Sequence, residues 1–295
     1  MRRIGLILAL AATTAAFAHP HKGRSSNFTA SGENCIANNF TWDGDEEAYV
    51  EKQVINGGSI RTLKATIEHA PVSVIGGNRA GYVIEACKVA RRSQDLAAIR
   101  VTLDGGELRA TGPEGERWFV QYRILVPDGA NVDIATDNGP LAFRDVDGTV
   151  VARASNGPLS LRNLSGNVTA TTTNGPISVS GGAGNMKVRA QNGPLSVDLE
   201  GTSWRGGTLD AATQNGPLSV EIPRGYGSGV VIESNGRGPL QCRAEGCERF
   251  VSERDDHDSY GRRHHDRTPR RIELGSGAEA VRLSTVNGPI TVRDE

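Results

Sequence analysis

Asn156-Gly157-Pro158-Leu159-Ser160-Leu161-Arg162 returns eighteen positions later as Asn174-Gly175-Pro176-Ile177-Ser178-Val179-Ser180, and again as Asn192-Gly193-Pro194-Leu195-Ser196-Val197-Asp198. The full set of corners is Asn138-Gly139-Pro140, Asn156-Gly157-Pro158, Asn174-Gly175-Pro176, Asn192-Gly193-Pro194, Asn215-Gly216-Pro217 and Asn287-Gly288-Pro289, with a split copy at Asn235-Gly236-Arg237-Gly238-Pro239. The first three intervals are 18 residues each and the fourth is 23. A fixed period of this length marks one structural unit stacked on itself. The five extra residues place a loop at one corner, containing Ser203-Trp204-Arg205-Gly206-Gly207.

Within each unit, apolar and polar residues alternate twice. Leu159-Ser160-Leu161-Arg162 and its copies form one run, and Val168-Thr169-Ala170-Thr171-Thr172 and its copies form the other. Alternation with period two is the pattern of a strand with one buried face. The first run buries Leu, Ile and Val and the second buries Val and Ala, so large side chains face small ones across a thin core. Asn-Gly alone is also a hairpin turn, but the following Pro removes an amide where antiparallel pairing would begin. A coil accounts for the fixed interval. If each unit is one turn, equivalent residues stack roughly 4.8 Å apart, the asparagines form a ladder of amides, and Gly supplies the unusual backbone at the corner. The predicted fold is all-β: a parallel β-solenoid, or β-helix-like coil, of two-strand rungs of roughly 18 residues.

A weaker copy, Ala70-Pro71-Val72-Ser73-Val74-Ile75-Gly76-Gly77, places the first rung well before Asn138. The runs 98–103 and 118–127 read as further strands that cap or broaden the coil, because an open end would display unpaired backbone groups. At the other end, Pro289-Ile290-Thr291-Val292-Arg293-Asp294-Glu295 reads as the last rung, blunted by charge.

The chain opens with Met1-Arg2-Arg3, an apolar run over 4–10 and small residues ending Ala16-Phe17-Ala18, the order of a secretory signal cleaved after residue 18. Setting aside Arg2 and Arg3 takes the formal net charge from −1 to −3. Neither value recruits nucleic acid. No second long apolar segment follows, so no transmembrane anchor is expected in the mature chain, and the predicted location is exported, periplasmic or extracellular. In such a compartment Cys35, Cys87, Cys242 and Cys247 suit two disulfides, with three connectivities open. Pairing Cys35 with Cys87 and Cys242 with Cys247 is favoured, since the second pair closes a short loop. The predicted organisation is a signal over 1–18, an N-terminal segment or cap over 19–54, and a solenoid domain over 55–295 with a charged insertion at 243–271.

Val126-Pro127-Asp128-Gly129, then Asn131-Val132-Asp133-Ile134 and the serial Asn-Gly-Pro-Leu/Ile-Ser-Val units, resemble the bacterial putative adhesin family, also described as the DUF4097 domain. The resemblance covers roughly 55–295 apart from the insertion. It implies a β-solenoid-like domain at the cell envelope and carries no active site.

Segment 243–271 holds 8 Arg, 7 acidic residues and His257, His264 and His265. Imidazole and carboxylate groups suit zinc, nickel or copper, and the three histidines, with His19 and His21 near the N-terminus, are the metal-ligand candidates. A solvated, mixed-charge loop is the preferred reading, because almost nothing in it can be buried, and no cofactor or metal is assigned. Asp198, Glu200 and Glu221, with Arg162 and Arg189 nearby, are the candidates for a carbohydrate-active β-helix enzyme of the lyase or glycosidase type. Strand alternation alone puts them on the outer face. There is no Gly-x-Ser-x-Gly elbow, His-Glu-x-x-His pair or phosphate-binding loop with Lys. The remaining feature is a column of hydroxyls, Ser160, Ser178, Ser196, Ser219 and Thr291, suited to repeated weak contacts with an envelope polymer, glycan or another surface protein. The sequence therefore reads as a non-catalytic envelope scaffold or binding module, adhesive in character, with the β-helix enzyme as the alternative.

Overall fold

The computed structural model describes residues 48–115, 117–234, 238–247 and 270–295, together with Cys35 and the short strand segments Ala16–Phe17, Ser26–Asn27, Thr41–Trp42 and Glu46–Glu47. Apart from Ala16–Phe17, the expected signal lies outside the described residues, as do His19, His21, His257, His264 and His265.

Two eleven-stranded sheets face one another, and each rung contributes one strand to each. In the first sheet Ala130–Asn138, Asp147–Asn156, Ser165–Asn174, Asn185–Asn192 and Leu209–Asn215 follow in parallel register. In the second, Leu141–Arg144, Leu159–Arg162, Ile177–Ser180, Leu195–Asp198 and Leu218–Ile222 do the same. Inward columns run from rung to rung: Leu141, Leu159, Ile177, Leu195 and Leu218 in the second sheet, all at most 1% exposed, and Ile134, Ala152, Ala170, Val188 and Ala211 in the first, all fully buried. The all-β solenoid expected from the repeat is the fold observed.

The corner shows why its three residues recur. Gly157 N–H donates to Asn174 O at 3.0 Å and Leu159 N–H donates to Pro176 O at 2.9 Å, so the ladder turns the corner without needing a proline donor. Gly175 has φ of 155°, and a Cβ there would lie 2.1 Å from Gly157 O. Only glycine lets one corner sit this close on the next. Each asparagine Nδ2 donates to Oδ1 of the rung below: Asn156 to Asn138 at 3.3 Å, Asn174 to Asn156 at 2.9 Å, Asn192 to Asn174 at 3.1 Å, and Asn215 to Asn192 and Asn287 to Asn215 at 2.9 Å. Asn138 Nδ2 meets His69 Nδ1 at 3.1 Å, so the upstream copy carries histidine in the asparagine position.

That copy forms the rung Leu63–His69 and Val72–Gly76. Beyond it the sheets change direction. Glu107–Thr111 and Arg100–Asp104 close the first sheet as an antiparallel pair, and Trp118–Val126, Tyr82–Ala90 and Tyr49–Gly58 close the second as an antiparallel meander. An ion cluster spans the meander: Glu85 accepts from Lys52 at 3.0 Å and Arg123 at 2.9 Å. Burial raises the Glu85 pKa, but the hydrogen bonds from Arg123 and Lys52 outweigh it and hold the carboxyl below its ordinary value. Its contribution to stability is therefore present above the unfolded pKa and fades as pH falls through the lower folded one.

The C-terminal end departs from chain order. Glu279–Asn287 lies between Leu209–Asn215 and Gly229–Ser234, and Ile290–Asp294 lies between Leu218–Ile222 and Leu240–Cys242. The expectation that the C-terminal strand is the outermost rung is thus corrected: the earlier rung, 229–242, is outermost and is edged by antiparallel Arg270–Leu274. Both rungs carry the same inward pattern, so the sequence offered no way to order them.

Cys35 is bonded to Cys87 and Cys242 to Cys247, with Cα separations of 5.4 and 5.6 Å. The first closes a span of 52 residues and the second a span of 5. Chain entropy gives the longer closure ~4 kcal/mol and the shorter ~2 kcal/mol. Replacing Cys35 and Cys87 together by Ala should accordingly lower the urea midpoint more than replacing Cys242 and Cys247; the reverse order would show that the short bridge holds the outer rung more than the long one holds the cap.

Candidate functional site

The outward faces differ between the sheets. On the second, Ser160, Ser178, Ser196, Ser219 and Thr291 stand in register on consecutive strands, forming the expected hydroxyl column. The next outward column is sorted by charge: Arg144, Arg162, Ser180, Asp198, Glu221, Arg293. Ser180 Oγ donates to Glu200 Oε1 at 2.7 Å and lies 3.4 Å from Asp198 Oδ2, and Glu221 forms an ion pair with Arg293. Three of the carboxylates singled out in the sequence are therefore neighbours, with Arg162 two strands from Asp198. Arg189 is on the other sheet.

The first sheet holds the concavity. A groove of about 510 Å³ is lined by Thr171, Thr173, Arg189, Gln191, Gln214 and Val286, among others. Its residues come from four consecutive strands: Ser165–Asn174, Asn185–Asn192, Leu209–Asn215 and Glu279–Asn287. The alternation of each strand turns Thr171 and Thr173, then Arg189 and Gln191, then Ala212 and Gln214, to the same outer face. Thr173, Gln191 and Gln214 are exposed, and Val286 is 39% exposed.

The charges bordering this face are paired, two of them across strands and one, Arg282 with Glu279, within its own strand. Arg189 forms an ion pair with Asp210 and donates from Nη1 to Asp210 O at 2.8 Å and to Val188 O at 2.9 Å. Arg153 Nη1 lies 2.5 Å from Asp133 Oδ1 and Arg282 Nη2 lies 2.7 Å from Glu279 Oε1. With the arginine held by its own strand neighbours, the groove presents hydroxyls and two primary amides set in a surface that is mostly apolar, to which Ala212 and Val286 contribute. Each amide offers two donors and an acceptor, and each hydroxyl offers both roles. The chemistry suits an uncharged ligand that carries an apolar face together with hydroxyl or amide groups.

No protein-family model matches the chain, and no curated protein matches it. Among solved structures, a "putative cell adhesion protein" from Clostridium sporogenes ATCC 15579 is similar over 84% of this chain and 100% of its own, at 12% identity and a TM-score of 0.31. A "putative adhesin" from Bacteroides fragilis NCTC 9343 is similar over 84% of this chain and 97% of its own, at 9% identity and a TM-score of 0.36.

The corner asparagines, glycines and prolines build the scaffold under the groove, with Asn174, Asn192, Asn215 and Asn287 ending its four strands. Among the described residues, no group of three or more His, Cys, Asp or Glu side chains is placed to hold a metal ion. Nothing in the sequence marks this concavity: Thr171 belongs to the polar half of an alternating strand, and Gln191 lies just past the copy of that run. The loop expected at 203–207 is also more than a loop. Trp204 is 7% exposed, its Nε1–H donates to Gly184 O at 2.9 Å, and its backbone N–H donates to Ser228 Oγ at 2.9 Å. Tyr226, from the adjoining turn, is buried too, which pushes its hydroxyl pKa up to about 12. A lone tryptophan among glycines was the available signal.

Proposed function

We propose that the protein is an exported binding module of the cell envelope, without catalytic activity, that holds a neutral polyhydroxylated polymer along the groove of its first sheet. The observation that carries this reading is the set Thr171, Thr173, Gln191 and Gln214, ranged over three adjacent strands beside an arginine already committed to Asp210. Strands repeating at roughly 4.8 Å suit a linear ligand, whose successive weak contacts add through their linkage. Two disulfides and the N-terminal signal pattern support export, and among the described residues no helix is long and apolar enough to cross a membrane.

The test is binding to neutral linear glycans, measured by co-sedimentation with insoluble cellulose and chitin and by titration with their soluble oligosaccharides. The double variant Gln191→Ala/Gln214→Ala should bind about tenfold more weakly, the sum of two modest hydrogen bonds. The variant Ser178→Asp/Ser196→Asp, on the opposite face, should bind as the parent does. Undiminished binding by the first variant, or loss confined to the second, would move the ligand to the hydroxyl column; release of new chain ends from the glycan would establish the enzymatic alternative.

A further inference from the structure

The seating of the C-terminal rung poses a physical problem. Strands Gly229–Ser234 and Leu240–Cys242 are made before Glu279–Asn287 and Ile290–Asp294, yet end up outside them. The later segment grips the earlier rung from two sides: Arg270–Leu274 pairs antiparallel with the outer edge of Gly229–Ser234, and Glu279–Asn287 pairs parallel with its inner edge. The crossing between them, 275–278, passes over 227–229 at glycine-only distances. A Cβ at Gly277 would lie 2.2 Å from Gly227 O, one at Gly275 would lie 2.1 Å from Ser228 O, and one at Gly229 would lie 2.8 Å from Gly277 O.

The surfaces on either side of the inserted rung match each other. Leu209, Val281 and Val230 form one inward column, Ala211, Leu283 and Ile232 the next, and Thr213, Thr285 and Ser234 the third. In the second sheet the columns are Leu218, Ile290 and Leu240, then Val220, Val292 and Cys242. Removing the middle member of each leaves two strands with the same period, register and facing. The covalent lengths also allow direct contact. Leu209 and Val230 are 21 positions apart and Leu218 and Leu240 are 22 apart, close to the 18 that link one regular rung to the next. Left unpaired, rung 229–242 would expose Val230, Ile232 and Leu240 and an open backbone edge to water.

We propose that rung 229–242 has two seats: an inner one directly on Leu209–Asn215 and Leu218–Ile222, taken first, and the outer one of the finished protein, to which it is moved when segment 270–294 wedges in between. The C-terminal rung is on this account a late, displaceable insert. Released, it would present Val281, Leu283, Ile290 and Val292, all fully buried when seated.

Outward-facing Ala212, Ser284 and Glu233 occupy one column on successive strands. In the finished structure Ala212 and Glu233 are two strands apart, roughly 9.6 Å, beyond the span of a disulfide; in the inner seat they would be neighbours. Full-length Ala212→Cys/Glu233→Cys and Ala212→Cys/Ser284→Cys are unfolded in urea with the native bridges intact, refolded by dilution and oxidised at successive times, and their bridges are mapped by non-reducing peptide analysis. The expected result is that the 212–233 bridge forms early and only in protein oxidised before the 212–284 bridge becomes available. A 212–284 bridge from the outset, with no 212–233 bridge at any time, overturns the proposal. Pulse-labelled hydrogen exchange on the unsubstituted chain tests it without engineered thiols. The amides of Val230–Ile232 should be protected before those of Val281–Leu283, and the reverse order or simultaneous protection rejects the inner seat.

Discussion

Ile177→Asp should unfold the protein or cost it several kcal/mol, while Ser178→Asp, one position along, should cost less than about 1 kcal/mol. Ile177 is 1% exposed and sits between Leu159 and Leu195 in the inward column of the second sheet. An aspartate there must either lie charged in an apolar stack or take up a proton, and each neighbouring rung loses the side chain it packs against. Total stabilities of ordinary domains are only about 5–15 kcal/mol, so this loss is a large fraction of the whole. Ser178 is exposed between Ser160 and Ser196, and a carboxylate there remains in water. Urea unfolding of the two variants measures the difference. Equal small effects would mean that the alternation does not face a core, and the stacked arrangement would fall.

Gly175→Ala is expected to be nearly as damaging for a different reason, although it adds one methyl group at a partly exposed corner. The added Cβ would lie 2.1 Å from Gly157 O, and Gly175 N–H is itself donated to Asn192 O at 3.0 Å, so the corner cannot retreat without lengthening a rung-to-rung hydrogen bond. Overpacking against backbone costs about 1–3 kcal/mol, and the left-handed φ of 155° adds strain. Gly201, where an added Cβ would meet nothing within 4 Å, is the control: it shares a positive φ, 74°, but not the close approach. Thermal melts of Gly175→Ala and Gly201→Ala separate the two contributions. A Gly201→Ala loss matching that of Gly175→Ala would assign the effect to backbone conformation alone and remove the close-approach argument for the repeated glycine.

The parts of this fold that are local in the chain were legible in the sequence. Leu159, Ile177 and Leu195 announced their column because alternation fixes which way each points and the eighteen-residue interval fixes what each stacks on. Rung order at the C-terminus was hidden by the same regularity: Ile290 and Leu240 are equally good partners for Leu218, and the crossing of 275–278 over 227–229 that goes with the observed order leaves no mark in the alternation. The groove was hidden because it depends on how far side chains from four strands stand apart. Thr171, Gln191 and Gln214 carry no individual mark that separates them from the polar residues of any exposed strand.

The amide ladder has a direction. In every link the nitrogen points toward the Asn138 end and the oxygen toward the Asn287 end, so the small dipoles add along the axis instead of cancelling. One amide cannot rotate by half a turn without setting oxygen against oxygen on one side and nitrogen against nitrogen on the other. The orientation is therefore a collective property with two states for the whole row, and the row ends on His69, whose Nδ1 lies 3.1 Å from Asn138 Nδ2. Reversing the polarity means turning all six asparagine side chains together.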